Sequence, residues 1–264
     1  GWGIVQSFKD VMGFWFDPVG FPKKEYGGWQ FSNYTLLAEK FRIITSSGWV
    51  YLPKMLKNTL VYCIFYGFLS LVGPIMTSYI YAKYSKRVKW TKIVWILLLI
   101  NMYVPLSASL ASSIELSMKL GYYDNIWLFS ICSLGGFGGC FLVYYAVWKG
   151  LSWDYAEAAF IDGAGHFRVF LSIMLPMTAT VFGVLFITAV IGNWSDYQTP
   201  MIYLPSYPTL ALGVFGLQFS VETGMTGVPV KLAGLLVCAV PMFTLFMVFK
   251  DKIMTSLTIG GLKG

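Results

Sequence analysis

Long runs of neutral, mostly apolar residues alternate with short charged stretches along the chain. The neutral runs are Asn58–Ala82, Ile93–Ile114, Asn125–Trp148, Val169–Ser195 and Leu232–Phe249. An α-helix rises about 1.5 Å per residue and the hydrocarbon core of a bilayer is roughly 30 Å thick, so each run is long enough to cross a membrane. The pattern predicts five spans, at residues 58–82, 93–114, 125–148, 176–195 and 232–249.

The overall composition supports the same prediction. The chain is 57% hydrophobic and 12% charged, with a mean hydropathy of +0.66, whereas soluble domains carry roughly a quarter charged residues. Core helices of a large soluble protein would need polar outer faces, which these runs lack. A charge at the centre of a span costs at least about 2.5 kcal/mol, and here the charges lie at the ends. The expected fold class is therefore all-α, a polytopic membrane helical bundle.

The positive charges define an expected topology. The net charge of +7 could indicate nucleic-acid binding, but the cations lie at span ends and form no patch with interleaved aromatic residues. Five cations crowd the loop between the first two spans, which places it in the cytoplasm by the positive-inside rule: Lys83, Lys86, Arg87, Lys89 and Lys92. Alternation then places residues 115–124 and 196–230 outside, and the tail from residue 250 inside.

The same alternation places residues 1–53 outside the membrane. This segment mixes aromatic residues, Gly, Pro and both charge signs, so we expect a compact extracytoplasmic segment with short helices. An outer N-terminal segment requires an earlier span that starts in the cytoplasm, so a sixth, preceding helix is expected. Residues 54–264 then form the transmembrane domain.

Prolines and glycines within the spans predict local irregularities. Pro74, Pro105 and Pro241 each lack a backbone donor and should bend their helices. The third span contains a patch of small residues that would let two helix backbones approach closely, namely Gly135, Gly136, Gly138 and Gly139. We expect this helix to lie in the interior of the bundle.

Residues that would indicate an enzyme or a coupled ion carrier are few. The four cysteines lie within apolar runs and are best explained as small packing residues. His166 is the only histidine and has no cluster of Cys or carboxylates near it in sequence, so no metal site is expected. Nucleophile and phosphate-binding motifs are not found. An ion-coupled transporter would carry titratable residues near the midplane, and the spans lack them.

The segment between the third and fourth spans predicts a helix, a sharp turn and a second helix. Ser152 can cap a first helix with Asp154 in its first turn, ending near Ile161. Gly163 can adopt a backbone conformation that bulkier residues avoid. A second helix would run from about His166 into the membrane before Pro176. Five apolar side chains cannot all face lipid from two short helices, so some should face a partner protein: Trp153, Phe160, Phe167, Phe170 and Ile173. The alternative is an interfacial hairpin without a partner.

Specific residues of this segment resemble a known family motif. Glu157-Ala158-Ala159, then Gly163, then Ile173, Leu175 and Pro176 resemble the EAA loop of binding-protein-dependent ABC importers. The resemblance implies that residues 152–176 form a cytoplasmic coupling loop that docks into a groove on a separate ATP-hydrolysing subunit. It places seven residues at that interface, with Glu157 paired to a basic residue and the tip at Gly163 and Ala164; the others are Ala158, Ala159, Asp162 and Phe167.

Shorter motifs resemble the carbohydrate-uptake permeases of the maltose type within that family. They are Gly192-Asn193-Trp194-Ser195-Asp196, Asn58-Thr59-Leu60 and the ending Thr258–Gly264. The resemblance implies a type I ABC importer permease in the bacterial inner membrane, with its C-terminus in the cytoplasm. It also implies four kinds of partner: two ATPase subunits that carry ATP and Mg, a second homologous permease subunit, an extracytoplasmic solute-binding protein and the lipid bilayer. No cofactor on this chain and no nucleic acid are implied.

Sugar sites need aromatic faces and hydrogen-bonding groups, and several such residues lie near span centres or outer ends. The candidates for the substrate pathway are Asn101, Tyr103, Asn193, Trp194, Asp196 and Tyr197, with Gln198 beside them. Polar groups within a membrane are functional candidates. For Trp and Tyr the aromatic belt at the membrane interface is an alternative explanation. An importer of amino acids, peptides or another small solute remains the alternative for the cargo.

Overall fold

The fold is a helical bundle, as the hydrophobic pattern predicts. The structure, a computed structural model, describes residues 1–85, 93, 95, 96, 100, 110–135, 139–219 and 227–261, with side chains described up to residue 250. The helices are α1 (Trp2–Ser7), α2 (Val11–Phe16), α3 (Ser32–Lys40), α4 (Leu52–Val61), α5 (Gly67–Tyr84), α6 (Leu110–Lys119), α7 (Ile126–Cys132), α8 (Phe141–Gly150), α9 (Asp154–Ile161), α10 (His166–Val169), α11 (Leu175–Met177), α12 (Ala179–Ser195), α13 (Gln198–Tyr203), α14 (Leu210–Leu217) and α15 (Val228–Gly261).

The N-terminal segment contains the short helices α1 to α3 and also a β-hairpin that the sequence analysis did not predict. Strand β1 (Arg42–Thr45) pairs antiparallel with β2 (Gly48–Tyr51), with Thr45 opposite Gly48. Gly48 has φ +109°, a value that non-glycine residues avoid. The strands are rich in β-branched and aromatic residues, which favour the extended conformation. The guanidinium of Arg42 stacks over the Trp49 ring at 4.3 Å.

Long apolar helices provide the membrane spans. Among the described residues, Leu52–Tyr84 and Val228–Lys250 are each long and apolar enough to cross a bilayer, and the bent pair His166–Met177 and Ala179–Ser195 would make a third span. Leu52–Tyr84 starts with Pro53 in its first turn, where a missing N–H costs little. It continues through a π-helical turn at Tyr62–Tyr66 into α5.

One predicted span cannot be compared with the structure, and another contains a break. Most of the predicted span 93–114 lies outside the described residues. The predicted span 125–148 contains two helices, α7 and α8, with turns at residues 133–134 and 139–140 between them. Serine hydroxyls compete for the backbone where α7 ends, since Ser133 Oγ donates to the Ser130 carbonyl at 2.6 Å.

The chain forms two compact units, residues 1–63 with 191–248 and residues 64–190 with 249–264. The first unit has a core of Leu37, Phe41, Val50, Met55, Leu204 and Leu210. The expected long loop 196–230 contributes to it, because its described part includes α13 and α14. Buried Thr59 joins α4 to α14: its hydroxyl donates to Met55 O at 2.8 Å and accepts from Leu210 N at 2.7 Å.

The second unit is built around α5. Its core contains Leu71, Ile75, Tyr79, Tyr144, Trp148, Ala156, Ala159, Val169, Phe170 and Met174. Gly73 on α5 lies directly against the end of α7, where a Cβ would collide with the carbonyl oxygens of Leu134 and Gly135. The small-residue patch predicted around Gly135 therefore takes part in a close backbone contact.

Candidate coupling segment and substrate pathway

The first helix of the coupling segment, defined here as residues 152–176, begins where its polar residues predict. The Ser152 hydroxyl accepts from Asp154 N at 3.2 Å and donates to Asp154 Oδ2 at 2.7 Å. The N-cap residue is Trp153, whereas the sequence predicts Ser152. Ser152 lies one residue before the N-cap and stabilises the first turn from there. Asp154 and Glu157 in the first turn complement the helix dipole.

The turn after α9 is a Schellman motif centred on Gly163. Gly163 N donates to Phe160 O at 3.0 Å and Ala164 N donates to Ala159 O at 2.9 Å, which is the paired bonding of that motif. Gly163 has φ +80°, and open space surrounds the position of a Cβ there. The sharp turn predicted from this glycine is present, and its tip is unobstructed.

The second helix of the coupling segment is bent away from the span that follows it. It starts at His166, passes through a π-helical turn at Phe170–Met174 and ends at Met177. The next helix, Ala179–Ser195, leaves at an angle of 76°. The Thr178 hydroxyl donates to Leu175 O at 2.9 Å at the break. Pro176 cannot donate a helical hydrogen bond, which accounts for a bend at this point.

The inner face of the coupling segment is fixed in the core of the second unit. Ala156, Ala159 and Val169 are buried, and their small or branched side chains let the two short helices approach α5 and α8 closely. Tyr79 lies at the centre of this contact, with its ring 4.8 Å from Phe170 and 5.2 Å from Trp148. The coupling segment is therefore a rigid extension of the helix pair and not a free loop.

The outer face presents most of the residues that sequence analysis assigned to an ATPase interface. Glu157, Ala158, Asp162 and Gly163 are exposed, and Ala164 is half-buried. Ala159 differs from the others because it is buried against the protein itself. A direct contact between Ala159 and a partner is not supported by this arrangement, and its small side chain serves helix packing.

The aromatic residues of the segment divide between the two faces. Phe170 is buried, and Trp153, Phe160 and Ile173 pack against the core of the second unit. Phe167 is 66% exposed, but it lines an apolar cavity of about 610 Å³ beside α5. Phe167 thus faces a groove along the span, and its assignment to the ATPase interface remains a prediction.

One exposed apolar residue at the tip was not predicted. Ile161 is 86% exposed and immediately precedes the turn. It lies four residues after Glu157 and three after Ala158, so helical periodicity places it on their face. That spacing is the signal that would have identified it. Tyr155 is also exposed.

The end of α5 is attached to the start of the coupling segment. Lys83 Nζ donates to Leu151 O at 2.6 Å, and the same ammonium lies 5.6 Å from the centre of the Trp153 ring. The Tyr84 ring packs edge-on against Trp153 at 5.6 Å. His166 completes the cluster, with its ring 4.7 Å from that of Phe160. A displacement of the coupling segment therefore acts directly on α5.

The proposed substrate-pathway residues have different environments. Asn101 and Tyr103 lie outside the described residues. Trp194 is buried and its Nε1 donates to Cys238 O at 2.9 Å. Asp196 accepts from the Tyr62 hydroxyl at 3.0 Å and from Thr199 N at 3.1 Å. Both carboxylate oxygens of Asp196 thus hold the local structure together.

Tyr197 and Asn193 are the candidates whose aromatic or polar groups remain available for contact with a solute. The Tyr197 ring stacks on Phe215 at 4.4 Å. Nδ2 of Asn193 is buried and has no hydrogen-bond partner within the described part of the chain. Tyr197 also lines a cavity of about 340 Å³, whose walls are Trp194, Ser195, Tyr197, Ala211, Val214, Phe215, Gln218, Leu235, Cys238, Ala239 and Met242. This volume is within the usual range of small-molecule pockets, roughly 300–1,000 Å³.

The sequence is similar to transport system permease proteins along most of its length, although no family model matches it. It is 29% identical to the arabinooligosaccharides transport system permease protein AraQ of Bacillus subtilis, over 89% of this chain and 79% of that protein. The maltodextrin transport system permease protein MdxG of the same organism is 32% identical, over 78% and 74%. A probable starch degradation products transport permease, AmyC of Thermoanaerobacterium thermosulfurigenes, is 24% identical over 98% and 89%.

A solved structure has the same fold. A chain in the crystal structure of a bacterial ABC transporter involved in the import of the acidic polysaccharide alginate superposes with a TM-score of 0.74. The match covers 95% of this chain and 88% of that one, at 17% sequence identity. This likeness shows the fold, and the similarity to MdxG and AraQ adds the family. On these grounds the chain belongs to the family of permease subunits of sugar ABC transport systems.

Proposed function

We propose that this chain forms one half of the membrane pore of an ATP-driven importer, and that the pore passes an oligosaccharide or sugar delivered by an extracytoplasmic binding protein. Support for the cargo comes from the relatives, since AraQ, MdxG and AmyC are all described as permeases for oligosaccharides or starch products. Tyr197 and Phe215 offer a stacked aromatic surface that suits a sugar ring.

The coupling segment is the observation that carries this proposal. Its inner face is buried around Tyr79 and its outer face projects a tip with Glu157, Ile161 and Gly163 exposed. Such a knob, rigidly joined to two spans, suits insertion into a groove of a separate ATPase subunit. Two such subunits would bind ATP and Mg and hydrolyse the nucleotide, while this chain binds neither.

Transport then follows from the rigidity of the coupling segment. Closure of the two ATPase subunits on ATP would carry the coupling segment with it, and α5 would follow through Lys83 and Tyr84. The bundle would change from an inward-open to an outward-open arrangement, because ATP favours the state in which the ATPase subunits are closed. A homologous but different permease subunit would supply the second half of the pore.

The remaining parts of the proposal concern orientation. The protein would lie in the bacterial cytoplasmic membrane, with the coupling segment and the C-terminus on the cytoplasmic side. Support comes from the cations between the first two spans, and from the absence of Lys and Arg in residues 196–230.

Charge reversal at the knob tests the coupling proposal. Glu157→Lys should abolish most uptake of solute by the complete transporter in lipid vesicles while leaving the chain inserted in the membrane, because the exposed carboxylate would meet a basic partner residue. Glu39→Lys, a reversal at another exposed glutamate on α3, is the matched control and should retain uptake. Full uptake by the Glu157→Lys transporter would show that the segment does not couple to an ATPase as proposed.

A panel of solutes tests the cargo. With the cognate binding protein present, ATP hydrolysis by the transporter in vesicles should rise on addition of malto- or arabino-oligosaccharides and should be unaffected by amino acids or peptides. Stimulation by amino acids or peptides alone would instead favour the alternative cargo while leaving the importer mechanism intact.

A further inference from the structure

The turn at residues 17–20 in the N-terminal segment is fixed by several hydrogen bonds and keeps apolar side chains exposed. All four carbonyl groups of residues 17–20 accept hydrogen bonds from side chains elsewhere in the segment. Trp2 Nε1 donates to Pro18 O at 2.8 Å, and Gln6 Nε2 donates to the carbonyls of Val19 and Gly20 at 3.3 and 3.2 Å. Lys9 Nζ, almost completely buried, donates to Asp17 O.

The Asp17 side chain closes the same turn. Its Oδ1 accepts from Gly20 N at 2.8 Å, and its Oδ2 forms an ion pair with Lys23 Nζ at 3.3 Å. A turn with these bonds has little freedom to fold its side chains inward. Val19 is nevertheless 76% exposed and the adjoining Phe21 is 69% exposed.

The helix that precedes the turn adds to this apolar surface. Met12, Trp15 and Phe16 of α2 are exposed, Trp15 to 72%, whereas Gly13 is buried against Tyr26. Positions three and four residues apart share a helix face, so these side chains lie together. Apolar side chains on a rigid support in water lose the favourable free energy of burial, which indicates that another surface covers them. We define the apolar wedge as Met12, Trp15, Phe16, Val19 and Phe21.

The structure also places the apolar wedge relative to a membrane span of the same unit. Val11, at the start of α2, packs against Gly227, where an added Cβ would lie 2.6 Å from Val11 Cγ2. Gly227 immediately precedes the span Val228–Lys250. Helix α2 therefore lies beside the start of this span. The span itself exposes apolar side chains such as Val240 and Phe243.

We propose that the apolar wedge is inserted into the lipid headgroup region and the adjoining acyl chains, at the membrane surface where the span Val228–Lys250 begins. The wedge and this span belong to the same unit, and Val11 packs against Gly227 at the start of the span, so one lipid surface would cover both. Trp and Phe are typical of the apolar face of helices that lie at such boundaries, and the exposed Lys24 near the wedge suits anionic headgroups. The wedge anchors the N-terminal segment independently of the transported solute.

Site-directed spin labelling tests this position. In a background with Cys63→Ala, Cys132→Ala, Cys140→Ala and Cys238→Ala, a nitroxide is attached at Val19→Cys or, as a control, at Glu39→Cys on an exposed face of α3. The assembled transporter is placed in nanodiscs of phosphatidylethanolamine and phosphatidylglycerol. The label at position 19 should collide more often with oxygen than with a water-soluble nickel complex, and the label at position 39 should show the reverse preference.

Two results would overturn the proposal. One is a label at position 19 that is as accessible to the nickel complex as the control label. The other is a label at position 19 that is water-accessible in nanodiscs and becomes protected only when the solute-binding protein is added, because that outcome assigns the wedge to a protein partner. Since position 19 is exposed, the cysteine substitution leaves the packing of the segment unchanged.

Discussion

The hydroxyl group of Tyr84 lies 2.8 Å from Nδ1 of His166, and this contact joins the last residue of α5 to the first residue of the second coupling helix. Which of the two groups donates depends on the tautomer of the imidazole. The bond thus links a membrane span to the part of the coupling segment that follows the exposed tip.

Removal of this hydroxyl should loosen the link without disturbing the packing. Tyr84→Phe keeps the ring contacts with Trp153 and loses one hydrogen bond, worth about 1 kcal/mol, or about a fivefold change in an equilibrium. We expect the solute transported per ATP hydrolysed to fall by up to about fivefold in vesicles. Tyr145→Phe is the control, because it removes a hydroxyl on α8 that has no hydrogen bond to the described residues. Equal coupling ratios in the two variants would contradict the prediction.

The conformation of Gly163 predicts an order among substitutions at the tip. Its φ of +80° disfavours all side chains, but Asn tolerates this region better than β-branched residues do. Gly163→Asn should therefore retain more uptake than Gly163→Val, while both proteins insert into the membrane. Because a Cβ at this position meets open space, a similar loss in both variants would point to contact with the partner and not to backbone strain.

Close packing at Gly73 predicts a loss of stability. The Cβ of Gly73→Ala would meet the backbone carbonyls of Leu134 and Gly135, so the helices must move apart, at a cost of about 1–3 kcal/mol. Gly183→Ala on α12 is the matched control, since open space surrounds its Cβ and alanine favours a helix. Thermal unfolding in detergent should show a lower midpoint for Gly73→Ala alone. A midpoint equal to that of the unsubstituted protein would show that the contact relaxes without cost.

The buried hydroxyl of Thr59 makes a similar prediction for the first unit. Thr59→Val keeps the shape of the side chain but leaves the Leu210 N–H without an acceptor, which costs about 1–3 kcal/mol in a buried site. Thr59→Ser retains the acceptor and should lose less. Thermal unfolding of the two variants measures the difference. A more stable valine variant would mean that Leu210 N finds another partner.

The Asp17 turn predicts a pH dependence for the wedge. The backbone N–H of Gly20 and the ammonium of Lys23 lower the pKa of the Asp17 carboxyl from its ordinary value. The carboxylate therefore stabilises the turn at neutral pH, and this contribution is lost as the pH falls through the lowered pKa. A spin label at Val19→Cys should become more mobile only in strongly acidic buffer. Adding Asp17→Asn should remove that pH dependence, and its persistence would assign the transition to another group.

The coupling segment was predictable because its determinants are local. Ser152, Gly163 and Pro176 each act on the backbone within a few residues of themselves, so a first turn, a sharp reversal and a bend can be inferred without knowledge of the rest of the chain. Burial could not be inferred in the same way. Ala159 and Ala158 are neighbours of the same type, and only the packing against α5 and α8 makes one buried and the other exposed.

The substrate pathway was less predictable because its contacts are distant in sequence. Asp196 has the charge and position of a solute-binding residue, but Tyr62, 134 residues earlier, donates to its carboxylate. The β-hairpin had a local signal in the β-branched and aromatic residues on either side of Gly48. The hydrophobic runs do not predict it, because each strand is only four residues long.

The 76° angle between His166–Met177 and Ala179–Ser195 determines how a displacement of the first helix changes the direction of the second. A movement along the axis of His166–Met177 has only a small component along the axis of Ala179–Ser195. That component is the cosine of the angle, about 0.24 of the movement. Most of the movement is therefore perpendicular to the helix Ala179–Ser195. This helix would tilt sideways and would hardly shift along its own axis. Under the proposed function, a pore whose walls move sideways in this way needs only a small displacement of the coupling segment.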